Sequence, residues 1–279
     1  ARPVTRTLRK PMSDFLQQMA TLSAERADAA GKIRAGDLDK PLVPLRLGGF
    51  DVIAEIKGRS PAEGALAGAD LDRTGQARLY AQGGAAAISV LTEPSRFDGA
   101  LSHLEEVAAA VPDTPVMRKD FLVEPVQVLE ARRAGASGVL LITAMLSDDK
   151  LRAMLDTAFE FGMFVLLEAF DENDLARSIV LLENPADRDR AAAGKLLVGV
   201  NTRNLRTLEV DGTRLERLAP LLPDARCVAE SGLKTADDAA AVAGWGYSLA
   251  LVGSALMRSK DPAALVSDMR AAGSARVAA

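Results

Sequence analysis

The chain has 279 residues, of which 48% are hydrophobic, and a formal net charge of −4. This much apolar sequence can build one large core or two modest ones. The basic residues are scattered, which excludes a nucleic-acid footprint, and no apolar run approaches the roughly 18 residues that span a bilayer, so we expect neither a nucleic-acid nor a membrane partner.

The sequence holds one cysteine, Cys227, and one histidine, His103. These two residues cannot form a disulfide framework or a Cys/His zinc site. We interpret Cys227 as a buried, inert thiol, which fits a reducing compartment. Residues 1–12 lack the apolar segment of a secretory signal, so the expected location is the cytoplasm.

Residues 13–34 predict one or two amphipathic helices, because Leu16, Met19 and Leu22 recur at helical spacing. From about residue 50 onward, short β-type runs alternate with helical segments rich in Ala and Leu. The eight runs are DVIAEIK (51–57), AAAISVLT (85–92), PVMRKDF (115–121), GVLLITAM (138–145), FVLLEAF (164–170), KLLVGVNTR (195–203), RCVAESG (226–232) and LALVGSAL (249–256).

The starts of these runs lie 23 to 34 residues apart, which is the length of one βα unit. Strict alternation of strand and helix predicts a parallel sheet, and eight units predict its closure into a (β/α)8 TIM barrel of the α/β class. We assign residues 1–48 to an N-terminal helical extension that packs on the barrel, and residues 49–279 to the barrel itself. Residues 183–195 are interpreted as a solvated loop without chemistry.

Charged and amide side chains stand late in five of the predicted strands, on the face that also carries the inward apolar residues. They are Glu55 and Lys57, Lys119, Glu168, Asn201 and Arg203, and Glu230. In this fold, catalytic groups come from the carboxyl ends of several strands. A structural ion-pair network explains any one of these residues equally well, but five strands together favour a site. Arg118 and Asp120 fall on the opposite face and are expected to pair there.

Gly-Ser pairs at the ends of strands seven and eight indicate a phosphate site. They are Ser231–Gly232 and Gly253–Ser254. Loops at this position commonly bind phosphate through backbone N–H groups and a helix N-terminus. Residues 59–64 after the first strand can close over the same region.

Segments along nearly the whole predicted barrel resemble the indole-3-glycerol-phosphate synthase family, the (β/α)8 enzymes of the tryptophan pathway. These segments are IAEIKGRSPAEG, AISVLTEPSRFDG, PVMRKDFLVEPVQVLEARRAGASGVLLI, LLEAFDENDL, GVNTRNLRTLEVD, AESGLKT and LVGSALMR. The resemblance implies ring closure of 1-(2-carboxyphenylamino)-1-deoxyribulose 5-phosphate, with loss of carbon dioxide and water. It implies no metal and no organic cofactor. The only partner it implies is this small aryl-amino sugar phosphate, and we expect a monomer or weak homo-oligomer.

The resemblance also implies roles for individual residues. Lys119 matches the general-acid lysine, and Glu168 its partner in proton transfer. Glu55 and Lys57 match a pair associated with dehydration and with the substrate carboxylate, while Asn201, Arg203 and Glu230 match residues around the anthranilate end. The remaining matches are substrate-binding Ser60, Ser89, Phe97, Phe121, Leu140 and Ser231, and phosphate-side Ser60, Gly232, Gly253 and Ser254.

The sequence departs from the family pattern at Gly58 and Glu63, where basic residues are usual, and at Phe170, where histidine is common. The departures at Gly58 and Glu63 motivate one alternative, a related barrel for another aryl-amino sugar phosphate. A non-catalytic scaffold is disfavoured by the full set of charges in the lumen. Phosphoribosylanthranilate isomerase and the tryptophan synthase α subunit are disfavoured by the RKDF and NTRNL segments. The direction of the Lys119 pKa shift stays open, because burial lowers it and neighbouring glutamates raise it. Removal of this buried charge is expected to leave thermal stability unchanged or raised.

Overall fold

A computed structural model describes residues 12–60, 64–65, 71–206 and 209–277 of the protein. Eight parallel strands form a closed barrel in the order β1-β8-β7-β6-β5-β4-β3-β2, with β2 pairing back to β1. The strands are β1 (Asp51–Ile56), β2 (Ala87–Leu91), β3 (Val116–Lys119), β4 (Gly138–Ile142), β5 (Phe164–Ala169), β6 (Leu196–Asn201), β7 (Cys227–Glu230) and β8 (Leu249–Val252). Each predicted run contains one of these strands, so the predicted (β/α)8 TIM barrel is confirmed.

Helices surround the barrel. They are α1 (Asp14–Ala29), α2 (Arg73–Gln82), α3 (Pro94–Phe97), α4 (Leu101–Ala110), α5 (Pro125–Ala134), α6 (Asp148–Glu160), α7 (Glu172–Leu181), α8 (Pro185–Ala192), α9 (Arg214–Leu218), α10 (Ala236–Gly244), α11 (Ser254–Arg258) and α12 (Pro262–Val277). Short 3₁₀ turns cover Ala35–Asp37 and Ala219–Leu221, and Arg59–Ser60 pairs with Gly64–Ala65 in a two-stranded ribbon. Among the helices described here, none is long and apolar enough to cross a bilayer.

Local sequence signals account for the ends of several helices. The Ser147 side chain accepts a hydrogen bond from the Lys150 backbone N–H and caps α6. Pro125 opens α5, and Gly135 ends it with a φ of 102°, a conformation that glycine adopts without steric cost. These signals set the start of α6 and both ends of α5, and the residues that the two helices bury include Leu151 and Val128.

The strands are buried on both faces, as expected for a parallel sheet covered by helices. Cys227 lies in this core, which confirms its predicted burial, and burial raises the pKa of its thiol to about 12. At the amino-terminal end of the barrel, Arg270 of α12 donates to the buried carboxylate of Asp51 over 3.0 Å. This end carries packing and ion pairs that support stability.

Helix α1 packs on the barrel near the carboxyl ends of the strands. Leu16 and Met19 are fully buried, as their helical spacing predicts. The Ser13 hydroxyl, at the start of α1, donates to the carbonyl oxygen of Leu205, which belongs to the segment after β6, over 3.1 Å. Of the assigned extension 1–48, residues 1–11 lie outside the described residues. We propose that residues 12–48 extend the barrel of residues 49–279, because the first strand begins only at Asp51.

The interpretation of residues 183–195 as a solvated loop is wrong. Helix α8 occupies this segment, with Asn184 as its cap and Pro185 in its first turn. Asp187 is fully buried and pairs with Arg152 at 2.5 Å and with Arg190 at 2.7 Å. The polar composition of the segment concealed these helix-start signals, because one partner of Asp187, Arg152, is 35 residues away in the sequence.

The first residue of β4 offers a test of barrel packing. A Cβ atom on Gly138 would overlap the ring of Phe164, which is itself buried at the start of β5. We expect Gly138→Ala to lower the free energy of unfolding by about 1–3 kcal/mol, because overpacking forces the ring and backbone to shift. Urea denaturation measures this change.

Gly36→Ala is the matched control, since nothing lies within 4 Å of a Cβ added there. Its free energy of unfolding should stay within about 0.5 kcal/mol of the wild-type value. Equal effects of the two substitutions would contradict the packing that we describe between β4 and β5.

Candidate active site

A cavity of about 660 Å³ opens at the carboxyl ends of the barrel strands. Its walls combine charged side chains with aromatic and aliphatic ones. The sequence-predicted residues that line it are Glu55, Lys57, Phe97, Lys119, Phe121, Leu140, Glu168, Asn201, Arg203, Ser231, Gly232, Gly253 and Ser254. The closed barrel thus brings together residues separated by up to about two hundred positions in the chain.

Lys119, the last residue of β3, lies among three carboxylates from three other strands. Its Nζ atom is 3.3 Å from Glu168 Oε2, 3.4 Å from Glu230 Oε2 and 4.0 Å from Glu55 Oε2. We call Glu55, Glu168 and Glu230 the carboxylate cluster. All three glutamates are at most 3% exposed. The Lys119 ammonium is therefore held by ion pairs that water screens weakly.

The carboxylate cluster determines the protonation state of Lys119. Burial lowers the pKa of this lysine, but attraction to Glu168, Glu230 and Glu55 outweighs it and leaves the pKa above the ordinary lysine value. Lys119 is therefore an ammonium throughout the neutral range. This settles the direction that the sequence left open.

Glu230 and Glu55, two members of the carboxylate cluster, differ in the direction of their pKa shifts. Burial and the neighbouring Glu168 raise the pKa of Glu230 well above that of an ordinary glutamate. Burial also raises the pKa of Glu55, but Lys57 and Lys119 outweigh it, so the net pKa of Glu55 is lowered. One site thus holds one acid that ionises more readily than an ordinary glutamate and one that gives up its proton less readily.

Lys57 extends the charged region toward the mouth of the cavity. Its Nζ atom is 2.7 Å from Glu55 Oε1. Gly253 permits this arrangement, because a Cβ atom there would overlap the Glu55 carboxylate and lie 2.9 Å from Lys57 Nζ. The glycine that the sequence suggested for a phosphate site is thus also required by the packing of the charged pair.

Asn201, the last residue of β6, orients Glu168. Its Nδ2 atom donates to Glu168 Oε2 over 3.2 Å, and its Oδ1 atom accepts from the Arg203 backbone N–H over 2.9 Å. The amide therefore connects the acid at the end of β5 to the segment that carries Arg203 over the cavity.

One side of the cavity combines backbone turns with cations. Ser231 and Gly232 both adopt left-handed conformations, with φ values of 67° and 85°. Such a φ is unusual for serine and is often found at functional sites. Lys234 and Arg258 line the same cavity, and sequence reasoning missed both. Their spacing could have revealed them, because each follows a predicted phosphate-side residue closely. Lys234 comes two residues after Gly232, and Arg258 comes about one helical turn after Ser254.

The opposite side is apolar. The rings of Phe97 and Phe121 lie 6.1 Å apart between centroids, and Leu140 continues this wall. Leu205, Val210 and Leu233 also line the cavity and were not predicted. No charge or glycine pattern marked these residues, since an aliphatic side chain after a strand is equally typical of ordinary packing.

Two predicted residues do not line the cavity. Ser89 is fully buried two positions before Leu91 on the same face of β2, so it lies one layer deeper in the barrel and is not part of the wall. Glu230 is also fully buried and is reached through its contact with Lys119. The side chain of Ser60, and Glu63 with it, lie outside the described residues.

Within the described part of the chain, no group of His, Cys, Asp and Glu side chains is arranged to hold a metal ion. The carboxylates of the cavity are instead taken up by Lys57, Lys119 and Asn201. The arrangement can bind an anionic ligand, protonate it and enclose an aromatic group.

Solved structures share this fold at low sequence identity. The 3-hexulose-6-phosphate synthase from Salmonella typhimurium matches with a TM-score of 0.61 and 16% identity, covering 81% of this chain and 100% of that chain. The tryptophan synthase α subunit from Legionella pneumophila matches with a TM-score of 0.52 and 15% identity, covering 91% and 97%. Such likeness shows the barrel fold alone.

Sequence comparison is more specific. A protein named indole-3-glycerol phosphate synthase from a Nocardioides species is 47% identical over 251 residues, covering 88% of this chain and 91% of the relative. A protein named indole-3-glycerol phosphate synthase 1 from Streptomyces coelicolor is 42% identical over 266 residues, covering 94% and 92%. The family model for indole-3-glycerol phosphate synthase matches residues 45–269. The chain therefore belongs to the indole-3-glycerol phosphate synthase family.

Proposed function

We propose that this protein is an indole-3-glycerol phosphate synthase, a carbon–carbon lyase of tryptophan biosynthesis. It converts 1-(2-carboxyphenylamino)-1-deoxyribulose 5-phosphate into indole-3-glycerol phosphate, carbon dioxide and water. The observation that carries this proposal is the Lys119 ammonium, held by three buried glutamates in a cavity with an aromatic wall and a cationic side. Homologous proteins of this name cover most of the chain.

The cavity suits the chemical groups of this substrate. The aryl ring packs against Phe97, Phe121 and Leu140, because these side chains form the apolar wall. The phosphate binds on the opposite side, which is lined by Gly232, Gly253 and Ser254 together with Lys234 and Arg258. The substrate carboxylate is directed toward Lys57 and Arg203.

Ring closure begins with activation of the ketone. Lys119 donates a hydrogen bond to the ketone oxygen and then a proton, as the carboxylate-bearing ring carbon attacks the carbonyl carbon. The new bond turns the aryl-amine nitrogen into an iminium. Carbon dioxide then leaves, because the electron pair of the broken carbon–carbon bond flows into that iminium and restores the aromatic ring.

Dehydration completes the indole. The hydroxyl group formed from the ketone leaves as water, and loss of a proton from the adjacent carbon creates the pyrrole double bond. Glu55 and Lys57 provide a base and a cation 2.7 Å apart for this step. Glu168 and Glu230 return a proton to Lys119, because the raised pKa of Glu230 keeps one proton within the cluster.

Steady-state turnover tests the proposed function. We expect purified protein to convert the carboxyphenylamino ribulose phosphate, with growth of indole fluorescence, at an equal rate in the presence of EDTA. Thermal unfolding of the same sample serves as the control for folding. A cooperatively folded sample without turnover would refute the activity and favour a related aryl-amino sugar phosphate as substrate.

Substitution of Lys119 tests the role of its ammonium. Lys119→Met should lower kcat by about 10³-fold or more, because proton donation and charge stabilisation are lost together. The free energy of unfolding at pH 8 should fall by about 2–4 kcal/mol, because the buried acidic side chains around Lys119 lose their cation. The loss should be smaller at pH 5 than at pH 8, because the raised pKa of Glu230 favours its neutral form at the lower pH, and a neutral acid needs no cation. This prediction differs from the unchanged or raised stability that the sequence alone led us to expect, because the ion pairs of Lys119 now enter the argument.

Lys150→Met is the matched control for Lys119→Met. Lys150 pairs with Glu124 at 2.7 Å, but both side chains are 38% exposed and lie outside the cavity lining. Its loss should leave kcat unchanged and cost less than about 1 kcal/mol. Persistence of activity in Lys119→Met would refute the assignment of the acid.

Substitution of Glu230 tests the proton held in the cluster. The raised pKa of Glu230 means that the folded state retains a proton that the unfolded state releases above about pH 4.5. Wild-type stability should therefore fall with rising pH in this window, relative to Glu230→Gln, by at most about 1.4 kcal/mol per pH unit. Urea denaturation between pH 5 and pH 8 measures the difference. A difference that is constant or of opposite slope would show that Glu230 is ionised.

A further inference from the structure

We propose that Arg26 of α1 is a positioning residue for the reaction, because it links the two loops that carry the aromatic wall of the cavity. The inference rests on the proposed function for its kinetic consequence, but its structural basis is independent of any substrate. We call Arg26, Glu93 and Asp120 the Arg26 clamp. Glu93 and Asp120 follow β2 and β3, respectively, and are buried at 1% and 2% exposure.

Asp120 connects the clamp to the end of β3. Its Oδ1 atom accepts from Arg26 Nη2 over 2.7 Å and from the Phe121 backbone N–H over 2.8 Å. Its Oδ2 atom accepts from Thr92 over 2.7 Å and from Arg118 over 3.1 Å. Asp120 therefore fixes the backbone between Lys119, which faces the carboxylate cluster, and Phe121, which forms part of the apolar wall.

Glu93 connects the clamp to the short helix α3. Its carboxylate accepts from the backbone N–H groups of Ser95 and Arg96 over 2.8 Å and 2.7 Å, and so caps the helix that ends at Phe97. Arg26 Nη1 lies 3.9 Å from Glu93 Oε1. The same guanidinium thus contacts both buried carboxylates, and it offsets part of the cost of burying two anions side by side.

The aromatic rings show what this arrangement holds in place. Phe15 lies on the same face of α1 as Arg26, about three turns earlier. Its ring packs edge-on against Phe121, with ring centroids 5.9 Å apart. Phe121 in turn packs against Phe97 at 6.1 Å. The guanidinium and the Phe15 ring therefore act together, from one helix, on the two rings that line the cavity.

Arginine suits this position better than lysine. A guanidinium presents several N–H groups in a fixed plane and so reaches two acceptors, whereas an ammonium is a compact point charge. Loss of the clamp should free Phe97 and Phe121, while Lys119 remains held by the carboxylate cluster. The effect should therefore fall on binding of the aryl group more than on proton transfer.

Arg26→Ala and Arg26→Lys test the inference, with Arg270→Ala as matched control. Arg270 also runs from a helix to a buried aspartate, Asp51, at 3.0 Å, but at the opposite end of the barrel. Two measurements are made on the full chain. One is hydrogen exchange of the segments 92–99 and 119–124, and the other is kcat and KM for the carboxyphenylamino ribulose phosphate across pH.

We expect Arg26→Ala to raise KM by about tenfold or more, with kcat changed by less than about threefold and an unchanged pH profile. Exchange should accelerate in both segments, and Arg26→Lys should recover part of both effects by retaining the Asp120 contact. Arg270→Ala should lower the melting temperature without changing KM or these segments. Equal KM values for the two alanine variants, or unchanged exchange in Arg26→Ala, would overturn the proposal.

The two proposals fail in different ways. If the wild-type protein folds but does not turn over the substrate, the proposed function is refuted. Hydrogen exchange alone then tests whether the Arg26 clamp orders the two loops. This measurement needs no substrate, because Asp120 and Glu93 accept hydrogen bonds from the backbone N–H groups of Phe121, Ser95 and Arg96. Unchanged exchange would refute the clamp whether or not the enzyme is active.

Discussion

The ion pairing between Lys119 and the carboxylate cluster is the interaction on which the site depends. Three glutamates in one barrel lumen repel one another, and a buried lysine alone is costly to desolvate. Together they neutralise most of this charge, and the raised pKa of Glu230 favours its protonated form. The same balance that makes the charges tolerable in the core also prepares a proton donor beside proton acceptors. Stability and chemistry at the mouth of the barrel therefore have a common electrostatic origin.

Closure of the barrel makes this pairing possible. The register places Glu168 of β5 beside Gly199 of β6, and Asn201 of β6 beside Glu230 of β7. Each glutamate therefore has a residue on the neighbouring strand that is either small or an amide. A Cβ atom on Gly199 would overlap the Glu230 carboxylate. Glycine in β6 thus leaves the space that the acid of β7 fills. Where two charged side chains can approach each other therefore depends on the size of residues on the neighbouring strands. The sequence of a single strand does not specify this.

The sequence predicted what depends on periodicity and missed what depends on distant partners. Alternation located all eight strands and placed Lys119, Glu55, Glu168 and Glu230 on one face, because side-chain direction has a period of two residues. Alternation does not give depth along the barrel, and Ser89, which the family resemblance implied to bind substrate, is fully buried and does not line the cavity. It gave no sign of Asp187 burial or of Arg26, whose partners are 94 residues away at Asp120. The pKa of Lys119 required distances, since burial and ion pairing oppose each other.

The two faces of β3 explain why a short apolar strand carries consecutive charges. Lys119 points inward to the carboxylate cluster, whereas Arg118 and Asp120 point outward and pair at 3.1 Å, as the alternation predicts. Arg118 also donates to the Gln127 carbonyl oxygen of α5 over 3.0 Å, and Asp120 accepts from α1. The outer pair therefore anchors the strand to two helices, while the inner residue faces the cavity. Because all three charges share one backbone, the position of the Lys119 ammonium depends on contacts made on the side of the sheet away from the substrate.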